Sequence, residues 1–117
     1  SLRLVIMKSI HLLIIFIVVL FSSPAIAQSS QLSKAISHTE QASKANDGKE
    51  VAAHAQEAKA SALEVKQAGN FSDETKYHLE AGIINLEHAI EKGNSGSAEA
   101  ARQQAGDAVK HFKEINP

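Results

Sequence analysis

Cysteine is absent from all 117 residues. That excludes disulfides, thiolate metal sites and the Cys-x-x-Cys-His attachment of c-type haem. Tryptophan is absent too, and aromatic residues make up only 4%. No basic patch interleaved with aromatics suggests a nucleic-acid partner. The one methionine, Met7, lies near the start, so the remainder offers no thioether ligand for haem. No nucleophile motif and no glycine-rich phosphate loop occurs. The Glu-x-x-His pairs of di-iron bundles are also missing: the residues three before the histidines are Ala35, Val51, Thr75, Asn85 and Ala108. The chain is therefore read as a non-enzyme.

What is present divides into two parts. From Met7 the chain runs MKSIHLLIIFIVVLFSSPAIAQ, with Lys8 as a positive start and Leu12–Phe21 as an unbroken apolar run. Ser22-Ser23-Pro24 breaks that helix, and Ala25-Ile26-Ala27 is an A-x-A cleavage site. This is the pattern of a secretory signal peptide over 1–27, with 1–6 as an over-long start. Ten apolar residues fall short of the ~20 needed to span a bilayer. Cleavage leaves 28–117, with 10 Lys/Arg against 13 Asp/Glu and a net charge of −3. The expected compartment is the bacterial periplasm, with no membrane attachment after cleavage.

The mature part breaks at ANDGKE (45–50), AGNFSD (68–73) and KGNSGS (92–97). Each break holds Gly and Asn, which tolerate left-handed helix C-caps. Asp47 with Glu50 has capping-box spacing, and Ser72 and Ser97 are simpler N-caps. Four helices are predicted, at 31–45, 49–68, 73–92 and 97–115, and no segment alternates as a strand would.

Apolar residues recur at steps of three and four, as a bundle seam requires. They are Val51, Ala55, Ala58, Ala62 and Val65 on the second helix, and Leu79, Ile83, Leu86 and Ile90 on the third. The fourth carries Ala98, Ala101, Ala105, Ala108, Phe112 and Ile115, and the first only Leu32, Ile36 and Thr39. Short loops make successive helices antiparallel, so the expected fold is all-α: an up-down-up-down four-helix bundle of one domain, 28–117, preceded by the signal-peptide helix. Alanine at so many seam positions implies a thin core of modest stability. A weak self-match at an offset of 47, including Leu32/Leu79 and Ile36/Ile83, suits a duplicated helical hairpin.

Five histidines lie in the mature part, and four have acidic neighbours three or four residues away, on one helix face. His54 has Glu50 and Glu57, His78 has Glu74, His88 has Glu91, and His111 has Asp107 and Glu114. Neutral imidazole beside carboxylate is a donor set for Cu(II), Ni(II) or Zn(II), the carboxylate either ligating or orienting the ring. A solvated, glutamate-rich helix face produces the same neighbours by chance. Hairpin geometry places His38 level with His54, with His88 towards the same end, and His78 level with His111 at the other end.

HAQEAKAS (54–61), YHLEAGIINLEHAIEKGNSG (77–96) and AGDAVKHFKE (105–114) resemble the histidine-rich small metal-binding protein of nitrifying bacteria. The resemblance covers most of 35–114. It implies a periplasmic four-helix bundle that binds several divalent metal ions, copper above all, for buffering or scavenging. The residues that carry over are His54, His78, His88 and His111, with His38 less directly. That family repeats histidine at about seven-residue intervals, whereas this chain has Ser61, Asn85 and Gln104 at such positions. The expected metal capacity is correspondingly lower.

The leading functional expectation is thus a monomeric metal-binding protein. The alternative is a structural or interaction bundle of the cell envelope that has lost metal binding. Phe71 and Tyr77, near the second loop, either serve such a partner or form a small cluster closing the bundle end.

Overall fold

The computed structural model describes residues 24–115, which form four α-helices: α1 (Pro24–Lys44), α2 (Gly48–Ala68), α3 (Asp73–Asn94) and α4 (Ala98–Lys113). The described residues include no strand. α1 pairs with α2, α2 with α3, α3 with α4 and α4 with α1, and α2 also touches α4 across the diagonal. This is the expected four-helix arrangement. No described helix is long and apolar enough to cross a membrane. Most of the expected leader, 1–23, lies outside the described residues; Pro24–Ala27 form the first turn of α1.

α1 starts seven residues earlier than the apolar spacing predicts. Nothing in the intervening Ala, Gln and Ser interrupts a helix, and proline is at home in a first turn, where its missing N–H is not needed. The other ends follow from local chemistry. Asp47 Oδ1 accepts from Glu50 N at 2.8 Å, and Glu50 Oε2 accepts from Asn46 N at 3.3 Å. Ser72 Oγ accepts from Thr75 N at 3.2 Å. Ser97 differs from expectation and makes no side-chain cap bond. Its own N–H donates to Lys92 O, and Gly96 N–H to Gly93 O. These two bonds close α3 as a Schellman motif and fix the backbone of Ser97 away from capping geometry.

The expected left-handed caps appear only there. Gly96 has φ +86°, whereas Gly69 is extended and Gly48 begins α2. Gly48 serves a different purpose. A Cβ on it would collide with the Gly93 carbonyl, and one on Gly93 with the Gly48 carbonyl. The two backbones touch where α2 begins and α3 ends. Arg102 ties the same end together, donating from Nη1 to Ala45 O and Asn46 O at 3.1 Å each.

Ten of the eighteen buried apolar residues described are alanine, which sets how closely the helices approach. The predicted seam is buried throughout α2. On α3, Ile90 is half-buried, as is Ala98 on α4. α1 contributes more than its apolar residues suggest: Ala35, Thr39 and Ala42 are fully buried. Thr39 satisfies its hydroxyl by donating to Ala35 O one turn back. Phe112 fills the largest space, its ring lying directly over Gly82. Phe71 is half-buried against the core, as the end-closing alternative has it, but Tyr77 is 63% exposed.

Candidate metal centre

His54 and Glu57 stand three apart on α2, so their side chains project from one face. The connection from α1 to α2 centres on Asn46, which sets His38 level with His54. One ligand atom from each of His38, His54 and Glu57 lies within 4.8 Å of the others. Both imidazoles are half-buried, whereas Glu57 is exposed.

His38 Nδ1 lies 3.1 Å from Glu57 Oε2, within ion-pair range but out of hydrogen-bond alignment. His38 Nδ1 and His54 Nδ1 are both shut off from solvent, and neither has a hydrogen-bond partner in the protein. A buried polar atom left unpaired costs about 1–3 kcal/mol, so two in one cluster call for an explanation. A cation shared by the cluster supplies one. Ligands of a four-coordinate ion sit ~2.0–2.2 Å from it and hence roughly 3.3–3.6 Å from each other. The His38 Nδ1–Glu57 Oε2 separation is close to that spacing, and all three donors lie within 4.8 Å of one another.

A second pair forms between α3 and α4. His78 Nδ1 and His111 Nδ1 are 3.2 Å apart. On the other side of the His78 ring, Nε2 lies 3.2 Å from Glu114 Oε2. The turn between these helices centres on Gly96, which sets Glu114 level with His78 and His111 one turn away. That register lets His78 meet both. Tyr77 approaches edge-on, with its ring centroid 5.2 Å from that of His78 and 6.0 Å from that of His111.

The other sequence candidates stay apart. Glu50 is engaged at the start of α2, bonding Asn46 N. Glu74, His88 and Glu91 are exposed, and the three-donor grouping among the described residues includes none of them. Asp107 is half-buried on α4 and takes no part in the His78–His111 contact. Sequence spacing assigned Glu57 to His54 and Glu114 to His111. In the structure Glu57 meets His38 and Glu114 meets His78, each on the neighbouring helix, a relation carried by hairpin register and not by spacing along one helix.

The sequence model of the small metal-binding protein family matches residues 7–115. The chain belongs to that family. Membership points to binding of metal ions in preference to catalysis, and the His38/His54/Glu57 cluster is a candidate place for it. Among curated proteins and among solved structures, none matches the chain.

Proposed function

We propose that this protein reversibly binds divalent metal ions in the bacterial periplasm, to buffer or scavenge them. The observation that carries the reading is the His38/His54/Glu57 cluster, with two buried ring nitrogens that make no hydrogen bond within the protein. Neutral imidazole supplies borderline nitrogen donors, and Glu57 supplies an anionic oxygen that offsets part of the ion's charge. For such a set Cu(II) binds more tightly than Ni(II) or Zn(II), following the general order of first-row affinities. The periplasmic assignment rests on the leader-like segment 1–27, and the lack of cysteine accords with ligation by nitrogen and oxygen alone.

The cluster's open side suits exchange over permanent retention. Glu57 is 57% exposed, so water can reach the ion and displace the carboxylate. The test is a competitive Cu(II) titration of the native protein beside H38A, H54A and the double variant. Loss of one tight equivalent in each variant supports the site. Unchanged tight binding in all three overturns it.

A further inference from the structure

We propose that the outer face of α3 is a docking surface for a cationic amphipathic helix of a partner protein. Tyr77 and Ile84 are its apolar anchors, and Glu80, Glu87 and Glu91 form its acidic rim. The proposal uses none of the candidate metal ligands and does not rest on metal binding.

Two large hydrophobic side chains are exposed among the described residues, Tyr77 at 63% and Ile84 at 53%. Both are on α3, seven residues apart. Two helical turns separate them, so they stand on one face, roughly 10 Å from each other along the axis. Ala81 lies between them, and the exposed His88 continues the stripe one turn beyond Ile84. The opposite face of α3 supplies Leu79, Ile83 and Leu86 to the core. The outer stripe is thus a second apolar face, with nothing of this chain upon it. Beside Ile84 a shallow depression opens towards α2, lined by Lys66, Glu80, Ile83 and Glu87. It offers an apolar floor next to two carboxylates.

Charge says what covers this face. α3 carries five acidic residues against two lysines, whereas the rest of 28–117 carries eight of each sign. The whole net negative charge of that part therefore sits on the helix with the exposed apolar pair. All five acidic residues are exposed. Glu80 stands three residues after Tyr77, Glu87 three after Ile84 and Glu91 three after His88, so the rim runs alongside the stripe. Of the rim, only Glu80 meets a described cation, Lys66 at 3.7 Å, and both of those side chains are open to water. Such a pair holds weakly and exchanges readily for a better partner.

A second copy does not fit. An antiparallel pair of α3 helices sets Glu80 against Glu87, and like charges across an interface oppose it. Anionic lipid and nucleic acid are repelled for the same reason. A helix with apolar residues at steps of three and four, flanked by Lys or Arg, matches both the stripe and the rim. Two anchors make a small interface, so the complex is a transient one.

The test uses synthetic peptides of about 20 residues, long enough to form helix. One has leucine at helical spacing and lysine elsewhere. A second has glutamate in place of the lysines, and a third has serine in place of the leucines. Each is titrated into the native protein, labelled with nitrogen-15, with a chelator present so that metal plays no part. The expected result is a shift of amide signals centred on Tyr77, Ala81, Ile84 and His88 with the lysine–leucine peptide alone, weakening as salt is added. I84S and Y77S should each bind roughly tenfold more weakly, with unchanged melting temperatures because both side chains are exposed. E80Q/E87Q should bind more weakly and with less dependence on salt. Equal binding of the lysine–serine peptide, native affinity in I84S and Y77S, or shifts centred on another helix would each overturn the proposal. A dimer of the native protein that I84S abolishes would overturn it in favour of a second copy. None of these outcomes bears on the metal-binding reading, which the histidine variants test separately.

Discussion

His38 Nδ1 on α1 stands 3.1 Å from Glu57 Oε2 on α2. The contact crosses between helices, although Glu57 is the helical neighbour of His54. It joins the two histidines of the hairpin to one carboxylate. Substituting Glu57 by Gln keeps the shape and removes the anion. The expected outcome is a loss of Cu(II) affinity of ~10–100-fold, with little change in melting temperature because Glu57 is exposed. Isothermal titration of E57Q beside E64Q, an exposed glutamate on the same helix, checks it; equal affinities in the two exclude Glu57 as a donor.

Binding should also weaken with acid. A ligating imidazole must be neutral, and an unperturbed imidazole gains its proton near pH ~6.5. Each imidazole that takes up a proton loses the lone pair it would give the ion, so a site with two imidazole donors weakens steeply as pH falls. A carboxylate-only surface would change little near pH ~6.5, since carboxylates titrate near pH ~4. Affinity measured at several pH values, in a buffer that does not bind metal, separates the two.

Much of the bundle was legible because helix faces repeat every three or four residues. The seam of α2 and the Leu79/Ile83/Leu86 ridge of α3 follow directly from that repeat, and both are buried. α1 was harder to read, since its buried residues are Ala35, Thr39 and Ala42. Small or hydroxylated side chains give little hydrophobic contrast, and only packing shows which face they take. The histidine pairs were legible as pairs, because a hairpin maps positions symmetrically about its turn. The partners of Glu57 and Glu114 were not. A shift of one or two residues in the turn centre changes which side chains are level, and the Schellman closure at Gly96 moves the α3–α4 register by that amount. His88 was drawn towards the first cluster by its height alone, yet it faces solvent.

Packing across the thin core makes its own prediction. The Phe112 ring occupies the place that a Cβ on Gly82 would need. Gly82→Ala should therefore lower stability by about 1–3 kcal/mol, as overpacking does, despite alanine's better helix propensity. Chemical denaturation gives the value. Unchanged or raised stability would mean that the ring moves aside without strain.

Metal should stabilise what the core does not. An ion that binds only the folded chain at 100 times its dissociation constant adds about 2.7 kcal/mol. For a domain of this size that is a rise in melting temperature of roughly 10–20 °C. The rise should be present with Zn(II) or Cu(II), be reversed by a chelator, and be smaller in H38A/H54A. A melting curve indifferent to metal would detach ligation from the fold.

The most direct measurement is a calorimetric Cu(II) titration at pH 7.5 of the native protein and of a variant with His38, His54, His78, His88 and His111 all changed to alanine. Coordination by imidazole predicts micromolar or tighter binding in the native protein and its loss in the variant. Equal, weak binding in both would contradict it, leaving a helical bundle whose acidic surface holds metal only diffusely.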